Sequence, residues 1–342
     1  MMRIFLSDPD GFVSDDKRVD PFGSAFRNVA TTAGHTVQNS FDPVPHACLL
    51  RNFRAESYRS ARRAGLKNSQ MVLFLTEPPS VHPRQYQERI INRFPHTYSR
   101  SVSRRLPRGV IQTNYFDFLR KTERGISPGT TRSREFALIQ ANKVSAHVDE
   151  RYSFRRRLID SLSRRNVPVV VAGAGWNRSS RDLLKSLAIS CGLVASAGFR
   201  LNTDQHPLSP CATAFFGPVQ SKRDFLGRFE FSLVVENQRD YVSEKLFESL
   251  EAGCITIYDG PSLQEVGLSP DIALTLAGSA EARVEQLRQL MQLDQSSIER
   301  IRTTQQLALR SDSVSSRDTE VAKQLLASIE GAALSLQNID IG

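Results

Sequence analysis

Cysteine is scarce in this chain, and its four copies lie far apart, at Cys48, Cys191, Cys211 and Cys254. None belongs to a CxxC pair, and none has histidines at the spacing of a zinc site, so the sequence excludes the common structural zinc motifs. We expect buried free thiols rather than disulfides, and that state is typical of a reducing compartment.

Long apolar runs are missing as well. No stretch approaches the roughly 18 consecutive apolar residues that a membrane-spanning helix needs. The apolar run at residues 2–6 is too short for a signal peptide. We therefore predict a soluble, cytoplasmic protein.

Three common catalytic signatures are absent: the phosphate loop GxxxxGK[ST], the zinc-protease helix HExxH and the nucleophile elbow GxSxG. Their absence argues against P-loop NTPases, HExxH metalloproteases and α/β-hydrolases. The triplet Asp8-Pro9-Asp10 has the DxD form that can hold a metal-bound nucleotide. Its turn-forming residues favour an ordinary loop instead.

Positive charge is in excess, with 45 Lys and Arg against 36 Asp and Glu, a formal net charge of +9. A basic surface attracts nucleic acids, anionic membranes or phosphorylated small molecules. Charge alone does not choose among these partners. An ordinary basic protein with none of them is an equal alternative.

Short apolar runs alternate with amphipathic segments along the chain, which predicts an α/β fold with parallel sheets covered by helices on both faces. The predicted strands are residues 2–6, 71–75, 136–140, 167–172, 229–235 and 254–258. The predicted helices are residues 51–67, 152–165 and 243–252, with a mostly helical stretch from residue 280 onward.

A segment rich in Gly, Pro, Ser and Thr, residues 121–134, is the best linker candidate. It predicts two α/β halves joined near residue 130, followed by a helical tail that braces the first half. Ligands of open α/β sheets bind at the carboxyl ends of the strands, so we expect a cleft between the halves.

The most informative segment is residues 229–262, where a buried strand leads to Glu236 and Asn237 and a short loop presents Tyr241. A helix is predicted from Ser243, with Glu244 and Lys245 in its first turn. Such a start can bind phosphate, and a carboxylate there can accept hydrogen bonds from a ribose. On these residues alone, an ordinary solvated helix start explains the pattern slightly better.

The same segment resembles the donor-binding motif of the α1,3/4-fucosyltransferases, glycosyltransferase family 10, and its bacterial-type soluble members in particular. The chain departs from that motif at Val235, where the family has Phe, and in the strand after the helix. The matching positions are Glu236-Asn237, Tyr241-Val242-Ser243-Glu244-Lys245, Ala252-Gly253 and Gly260-Pro261-Ser262.

Upstream, the resemblance continues through Lys222 and the apolar residues that follow it. Farther back, Ser145, Arg155 and Leu162 match an S-N…R…L segment, although Ala146 stands where the family has Asn. The resemblance implies that Arg155 binds the donor diphosphate. Residues 169–176 resemble the next strand and its GxGW turn, and packing is an equal explanation for Trp176.

In the first half, the run from Thr76 to Pro83 resembles the family's L-E-S-P-x-x-x-P segment. The resemblance implies that Glu77 is the general base acting on the acceptor hydroxyl. The alternative is an ordinary carboxylate in a loop after a strand.

Taken together, the resemblance implies a GT-B-like fold of two Rossmann-like domains. Residues 1–130 would bind the acceptor, residues 131–300 the nucleotide-sugar donor, and residues 301–342 would form the tail. The implied activity is inverting, metal-independent transfer of fucose from GDP-fucose to a hydroxyl of a glycan or glycolipid, with no tightly bound cofactor. Glu244 would contact the ribose, and Tyr241 the nucleotide. Glu236 and Asn237 would line the donor sugar or position Lys245.

Two alternatives remain open. The first is a transferase of the same fold that uses a different nucleotide sugar. The second is a basic, non-enzymatic binder of nucleic acid or anionic surfaces, suggested by the arginines in residues 51–67 and 100–108. We expect no nucleic acid partner and leave peripheral contact with the inner face of the membrane open. A Golgi lumen location applies if the sequence comes from a longer eukaryotic protein.

Overall fold

The structure is a computed structural model that describes residues 1–7, 21–101, 106–113, 131–176, 214–311 and 314–337. The chain divides into two compact units, Met1–Arg120 with Ser313–Gly342, and Lys121–Asp312. Most of the predicted linker, together with the predicted boundary at residue 130, lies outside the described residues.

Within those ranges each unit contains one parallel sheet, ordered β2-β1-β3-β4-β5-β6 in the first unit and β12-β11-β10-β7-β8-β9 in the second. The first sheet comprises β1 Arg3–Leu6, β2 Thr36–Gln38, β3 Ala47–Arg51, β4 Met71–Leu75, β5 His96–Ser99 and β6 Val110–Gln112. The second comprises β7 Ser133–Ile139, β8 Val169–Ala172, β9 Ala214–Phe215, β10 Phe229–Val235, β11 Ile255–Asp259 and β12 Leu274–Thr275.

The α-helices of the described residues connect or flank these strands. They are α1 Pro21–Thr32, α2 Ala55–Arg63, α3 Glu88–Ile91, α4 Tyr152–Arg164, α5 Lys222–Leu226, α6 Lys245–Glu251, α7 Ala280–Met291, α8 Gln295–Ser311 and α9 Val314–Gln337. The alternation of strands and helices in both units confirms the predicted α/β fold with parallel sheets.

Strand β4 shows why the first sheet needs helices on both faces. Every residue of β4 is buried, and its side chains alternate between two cores. Leu73 belongs to the core that includes Ala61 of α2 and Ile90 of α3. Phe74 belongs to the core on the other face, formed with α1 and α9. A continuous apolar run is therefore the pattern that this position requires.

The second unit is organised in the same way around β10, whose seven residues are all buried. One face of its sheet packs against apolar residues of α4 and α7, including Leu158, Leu162 and Leu287. The opposite face packs against Phe225 and Leu226 of α5. Cys254 belongs to this second core as a free thiol, and burial raises its pKa to about 12. Cys48 is likewise a buried free thiol, whereas Cys191 and Cys211 lie outside the described residues.

The predicted start of the tail at residue 301 falls inside α8, which belongs to the second unit. The Gln305 side chain accepts a bond from the Thr256 amide at 2.9 Å and donates to the Thr256 carbonyl at 3.0 Å. Arg302 donates to the Gly253 carbonyl and pairs with Glu230. These polar contacts hold α8 on the second sheet, so the segment that packs on the first unit is α9.

Helix α9 packs along α1 in the first unit. Its Ser328 hydroxyl lies 2.5 Å from that of Tyr98, and its Glu330 carboxylate lies 2.8 Å from the His35 ring. Helix α9 thus covers one face of the first sheet, which is the position that the sequence predicted for a bracing helical tail.

Glycine is required where β8 ends, because the main chain there lies against the end of β7. Gly173 has φ +126°, and a Cβ on it would lie 2.4 Å from the Gln140 carbonyl oxygen. The same carbonyl accepts a hydrogen bond of 2.6 Å from the Trp176 indole, which is buried. Trp176 therefore packs at the strand end, in agreement with the packing explanation.

We expect Gly173→Ala to destabilise the protein by about 1–3 kcal/mol or more, because it adds backbone strain to a clash with main-chain atoms. Gly331→Ala is the matched control. Gly331 lies inside α9 with open space around its missing side chain, so alanine there should stabilise by about 0.5–1 kcal/mol. Thermal unfolding followed by circular dichroism measures both shifts. A Gly173→Ala melting temperature equal to that of the parent would contradict the close approach.

Candidate functional site

The carboxyl end of β10 delivers a buried carboxylate to the centre of the second sheet. Glu236 follows β10 directly and is fully buried. One of its oxygens, Oε1, accepts a hydrogen bond of 2.9 Å from the Ser243 amide. Its own amide donates to the Asp259 carbonyl at 2.9 Å. The loop that follows β10 is therefore folded back over the strand end by its own first residue.

Lys245 lies at the start of α6, beside this carboxylate. Its Nζ is 3.2 Å from Ser243 Oγ and 3.2 Å from Glu244 Oε1. Its side chain remains 16% exposed. Burial lowers the pKa of Lys245, but the carboxylates of Glu244 and Glu236 outweigh burial and leave the pKa above its ordinary value. Lys245 is therefore a charged ammonium at neutral pH with a surface open to a ligand.

The attraction between Lys245 and Glu236 also lowers the pKa of Glu236. Burial raises the pKa of Glu236, and the Lys245 charge and the Ser243 hydrogen bonds oppose that rise. Glu236 is fully buried and holds the Ser243 segment through its bond to the Ser243 amide. The two roles predicted for it, lining the donor sugar and positioning Lys245, stay predictions.

Helix α6 begins later than predicted. Its first residue is Lys245 and its N-cap is Glu244, with no side-chain capping bond. Ser243 does not cap the helix, and its hydroxyl instead lies 3.2 Å from the Lys245 ammonium. The helix has only seven residues, so its dipole contributes less than the sequence suggested, and the charged side chains dominate the site.

Arg155 lies in the interior, where main-chain carbonyls and the Asn237 side chain accept from its guanidinium. Its side chain is 1% exposed. Nη1 donates to the Ala141 carbonyl at 3.0 Å, and Nη2 donates to the Val235 carbonyl at 2.8 Å and to Asn237 Oδ1 at 3.1 Å. Burial lowers its pKa to about 10, which still leaves it charged at neutral pH. In this structure the guanidinium connects the ends of β7 and β10, and its binding of the donor diphosphate stays a prediction.

The other predicted residues differ in accessibility. Tyr241 is 2% exposed, so its ring lies in the interior, and its contact with the nucleotide stays a prediction. Asn237 is half-buried and accepts the bond from Arg155. Lys222 is half-buried at the start of α5, and its Nζ lies 2.8 Å and 2.9 Å from the two Glu248 oxygens. Glu244 and Lys245 are therefore two adjacent motif residues whose side chains are both partly exposed and lie 3.2 Å apart.

Sequence reasoning missed an arginine cluster at the end of β11. Asp259, the last residue of β11, pairs with Arg151 and, at 2.8 Å, with Arg283 of α7. These arginines line a pocket of about 220 Å³ in the second unit. The sequence did not predict the cluster because its arginines come from separate parts of the chain. The one local indication was Asp259, a carboxylate at the end of a strand.

Glu77 belongs to the first unit, where it follows β4 and is half-buried. Its position is set by Asn52, whose Oδ1 accepts from the Thr76 amide at 3.0 Å and the Glu77 amide at 3.3 Å. Asn52 has φ +56°, a conformation that Asn tolerates better than most residues. Tyr86 also donates to the Glu77 carbonyl at 2.8 Å. Asn52 was not singled out from the sequence, because its role depends on the neighbouring strand.

The described residues contain neither a cluster of metal ligands nor a membrane-spanning helix. No group of three His, Cys, Asp or Glu side chains there is placed to hold a metal ion. Asp8-Pro9-Asp10 lies outside them. Of the helices that the structure describes, none has the length and apolarity to cross a membrane.

A family model described as "glycosyl transferase-like" matches residues 151–326, just over half of the chain. The chain belongs to the glycosyl transferase-like family. The matched region contains α4, the segment from β10 to α6, and the Asp259 cluster, so both groups of charged residues lie within it. No curated protein matches the chain at a significant level.

Solved structures with the same fold are glycosyltransferases. An α1,3-fucosyltransferase is 11% identical, with a TM-score of 0.52, over 97% of this chain and 90% of that one. T4 phage BGT in complex with its UDP-glucose substrate is 11% identical, with a TM-score of 0.55, over 96% and 99%. An α-glucosyltransferase in complex with UDP and a DNA 13-mer has the same identity and TM-score over 95% and 99%.

At this level of identity the structural matches establish the fold alone. They confirm the GT-B fold class for this glycosyl transferase-like protein, with two parallel-sheet α/β domains. They leave the donor sugar and the stereochemistry as predictions.

We expect Glu236→Ala to destabilise the protein by about 1–3 kcal/mol, because the buried Ser243 amide loses its acceptor and Lys245 loses one of its two carboxylates. Glu236→Gln keeps an acceptor oxygen at the same place, so its loss should be smaller. Glu285→Ala, on the exposed face of α7, serves as the control and should change little. Denaturant unfolding measures the series. Equal losses for the Ala and Gln variants would show that the Ser243 bond contributes nothing.

Proposed function

We propose that this glycosyltransferase moves fucose from GDP-fucose to a hydroxyl of a glycan or glycolipid, with inversion at the anomeric carbon. The proposal is supported by the donor-motif resemblance and by the placement of its charged residues. Glu244 and Lys245 have surface open to a ligand, whereas Glu236 lies behind them and supports Lys245.

The observation that carries the proposal is the state of Lys245. Two carboxylates keep its pKa raised although it is largely buried. A preorganised full charge in a partly dry site stabilises the negative charge that develops on a leaving diphosphate. Because Lys245 supplies that charge from the protein, we expect transfer to be independent of added metal.

The remaining roles follow the resemblance. Glu244 would accept hydrogen bonds from the ribose hydroxyls. Glu77 would take the proton of the acceptor hydroxyl while the oxygen of that hydroxyl bonds to the anomeric carbon. The bond from that carbon to the diphosphate oxygen would break in the same step, through a transition state with oxocarbenium character. Lys222, which pairs with Glu248 in this structure, would be drawn to the donor only after leaving that carboxylate.

A second candidate donor is a uridine nucleotide sugar. The T4 phage BGT structure contains UDP-glucose, and the α-glucosyltransferase structure contains UDP. The α-glucosyltransferase structure also contains DNA, so DNA should be tested as an acceptor beside glycans and glycolipids.

Calorimetric titration with GDP and with UDP tests the donor. We expect micromolar GDP binding, weaker UDP binding and no dependence on Mg²⁺. Lys245→Ala should weaken GDP binding by at least about tenfold, because a charged hydrogen bond to the diphosphate is lost. Lys323→Ala is the matched control, since Lys323 is exposed on α9 and pairs with Glu320. Tighter UDP binding would transfer the proposal to the second donor. Equal GDP affinity in both variants would remove Lys245 from the site.

The catalytic role of Glu77 is tested by turnover. We expect Glu77→Gln to lower kcat by about 10²- to 10⁴-fold, because the amide cannot accept the proton. GDP affinity should stay unchanged. Glu88→Gln, an exposed carboxylate at the start of α3 in the same unit, is the control. Near-normal turnover of Glu77→Gln on the best acceptor would exclude it as the base.

A further inference from the structure

The arginine pocket, defined as the space lined by Glu150, Arg151, Ser153, Phe154, Arg157, Arg239 and Arg283, lies at the start of α4 in the second unit. Four of its seven lining residues are arginines. None of the residues matched to the donor motif lines it, although Arg239 lies in the loop between Asn237 and Tyr241. The pocket is therefore lined by residues outside the donor motif.

Two of the arginines are held in place by the protein. Arg151 and Arg283 share the Asp259 carboxylate, and their side chains are only 12% and 17% exposed. Their guanidinium carbons also lie 4.5 Å and 4.7 Å from the centre of the Phe154 ring. Cation–π contacts of this kind add to the ion pairs. Because these two side chains are already held in place, binding an anion here would cost little side-chain entropy, which favours affinity.

Positive charge in the pocket exceeds negative charge. Asp259 is a single carboxylate shared by two guanidinium groups. The Glu150 carboxylate is already engaged at the start of α4, where it accepts from the Ser153 amide at 3.0 Å and from the Ser153 hydroxyl. Arg157 and Arg239 are exposed, and neither forms an ion pair with a carboxylate in the described part of the chain.

The electrostatics around Arg151 agree with this count. Burial lowers the pKa of Arg151, Asp259 opposes that effect, and the nearby charges of Arg283 and Arg239 lower it further. Like charges thus face one another across the pocket. A bound anion would offset their repulsion.

We propose that the arginine pocket binds a phosphate group, as a free phosphate or as the ester of a small molecule. Guanidinium forks match the oxygens of phosphate in pairs and hold their charge at any physiological pH. The pocket's volume of about 220 Å³ is below the roughly 300–1,000 Å³ that buries a drug-sized ligand. It accommodates a phosphate or diphosphate moiety and not a complete nucleotide sugar.

The phosphate has two possible sources. Arg239 lies in the loop that joins Asn237 to Tyr241, so the diphosphate of a donor bound at Lys245 is one source. A separate phosphorylated molecule, such as a phosphorylated acceptor, is the other. The binding chemistry is the same for both, and the inference does not rest on the proposed function.

The test is calorimetric titration of the full chain with pyrophosphate at low ionic strength. We expect binding to the parent protein and a loss of at least about tenfold in affinity in the double variant Arg157→Gln/Arg239→Gln. The matched control is Arg164→Gln/Arg288→Gln, which removes two exposed arginines from the same helical layer, on α4 and α7. The control removes the same net charge and should bind like the parent.

Repeating the titration with saturating nucleotide separates the sources. Competition between the nucleotide and pyrophosphate identifies the donor diphosphate, and independent binding identifies a separate phosphorylated ligand. Either result supports the pocket. Absence of pyrophosphate binding to the parent, or equal loss in both double variants, overturns it. If nucleotide does not bind while pyrophosphate binding is lost only in Arg157→Gln/Arg239→Gln, the proposed function fails and the pocket stands.

Discussion

Arg155 places a full positive charge inside the second unit, and the ends of two strands are arranged around it. Its guanidinium donates to the Ala141 carbonyl after β7 and to the Val235 carbonyl at the end of β10. A buried charge without hydrogen-bonding partners would cost several kcal/mol, so these carbonyls must stay aimed at it. Glu236 and Asn237 follow Val235 directly. The position of the candidate site therefore depends on a buried arginine.

Charges at the carboxyl edge of the second sheet form two separate arrangements. Next to β10, Lys245 is balanced by Glu244 and Glu236, which keep it protonated. At the end of β11, Asp259 anchors Arg151 and Arg283. Gly260 allows the two strand ends to come together, because a Cβ there would lie 2.2 Å from the Tyr258 hydroxyl and 2.7 Å from Glu236 Cγ. Only the second arrangement has an excess of positive charge, because two guanidinium groups share the single Asp259 carboxylate.

Sequence reasoning succeeded where one local property decided the outcome. The run of residues 71–75 is apolar throughout because β4 is covered on both faces, and the apolar stripe of residues 154–162 is the face that α4 packs on its sheet. It failed where competition between partners decided. Ser243 is a residue type that commonly caps helices, but its hydroxyl lies against the Lys245 ammonium and the helix starts two residues later. Nothing in the sequence indicated that the Ala141 and Val235 carbonyls accept from Arg155.

The amino-acid sequence by itself determined the α/β class, the buried strands and the motif that contains Glu244 and Lys245, because periodicity and short-range spacing are local properties. The tertiary structure alone decided which charges are buried and which are open. Burial depends on neighbours far along the chain, as with Gln305 on Thr256, Asn52 on Glu77 and Arg283 on Asp259. The arginine pocket belongs wholly to this second kind, because its guanidinium groups meet only after β10, β11, α4 and α7 have packed.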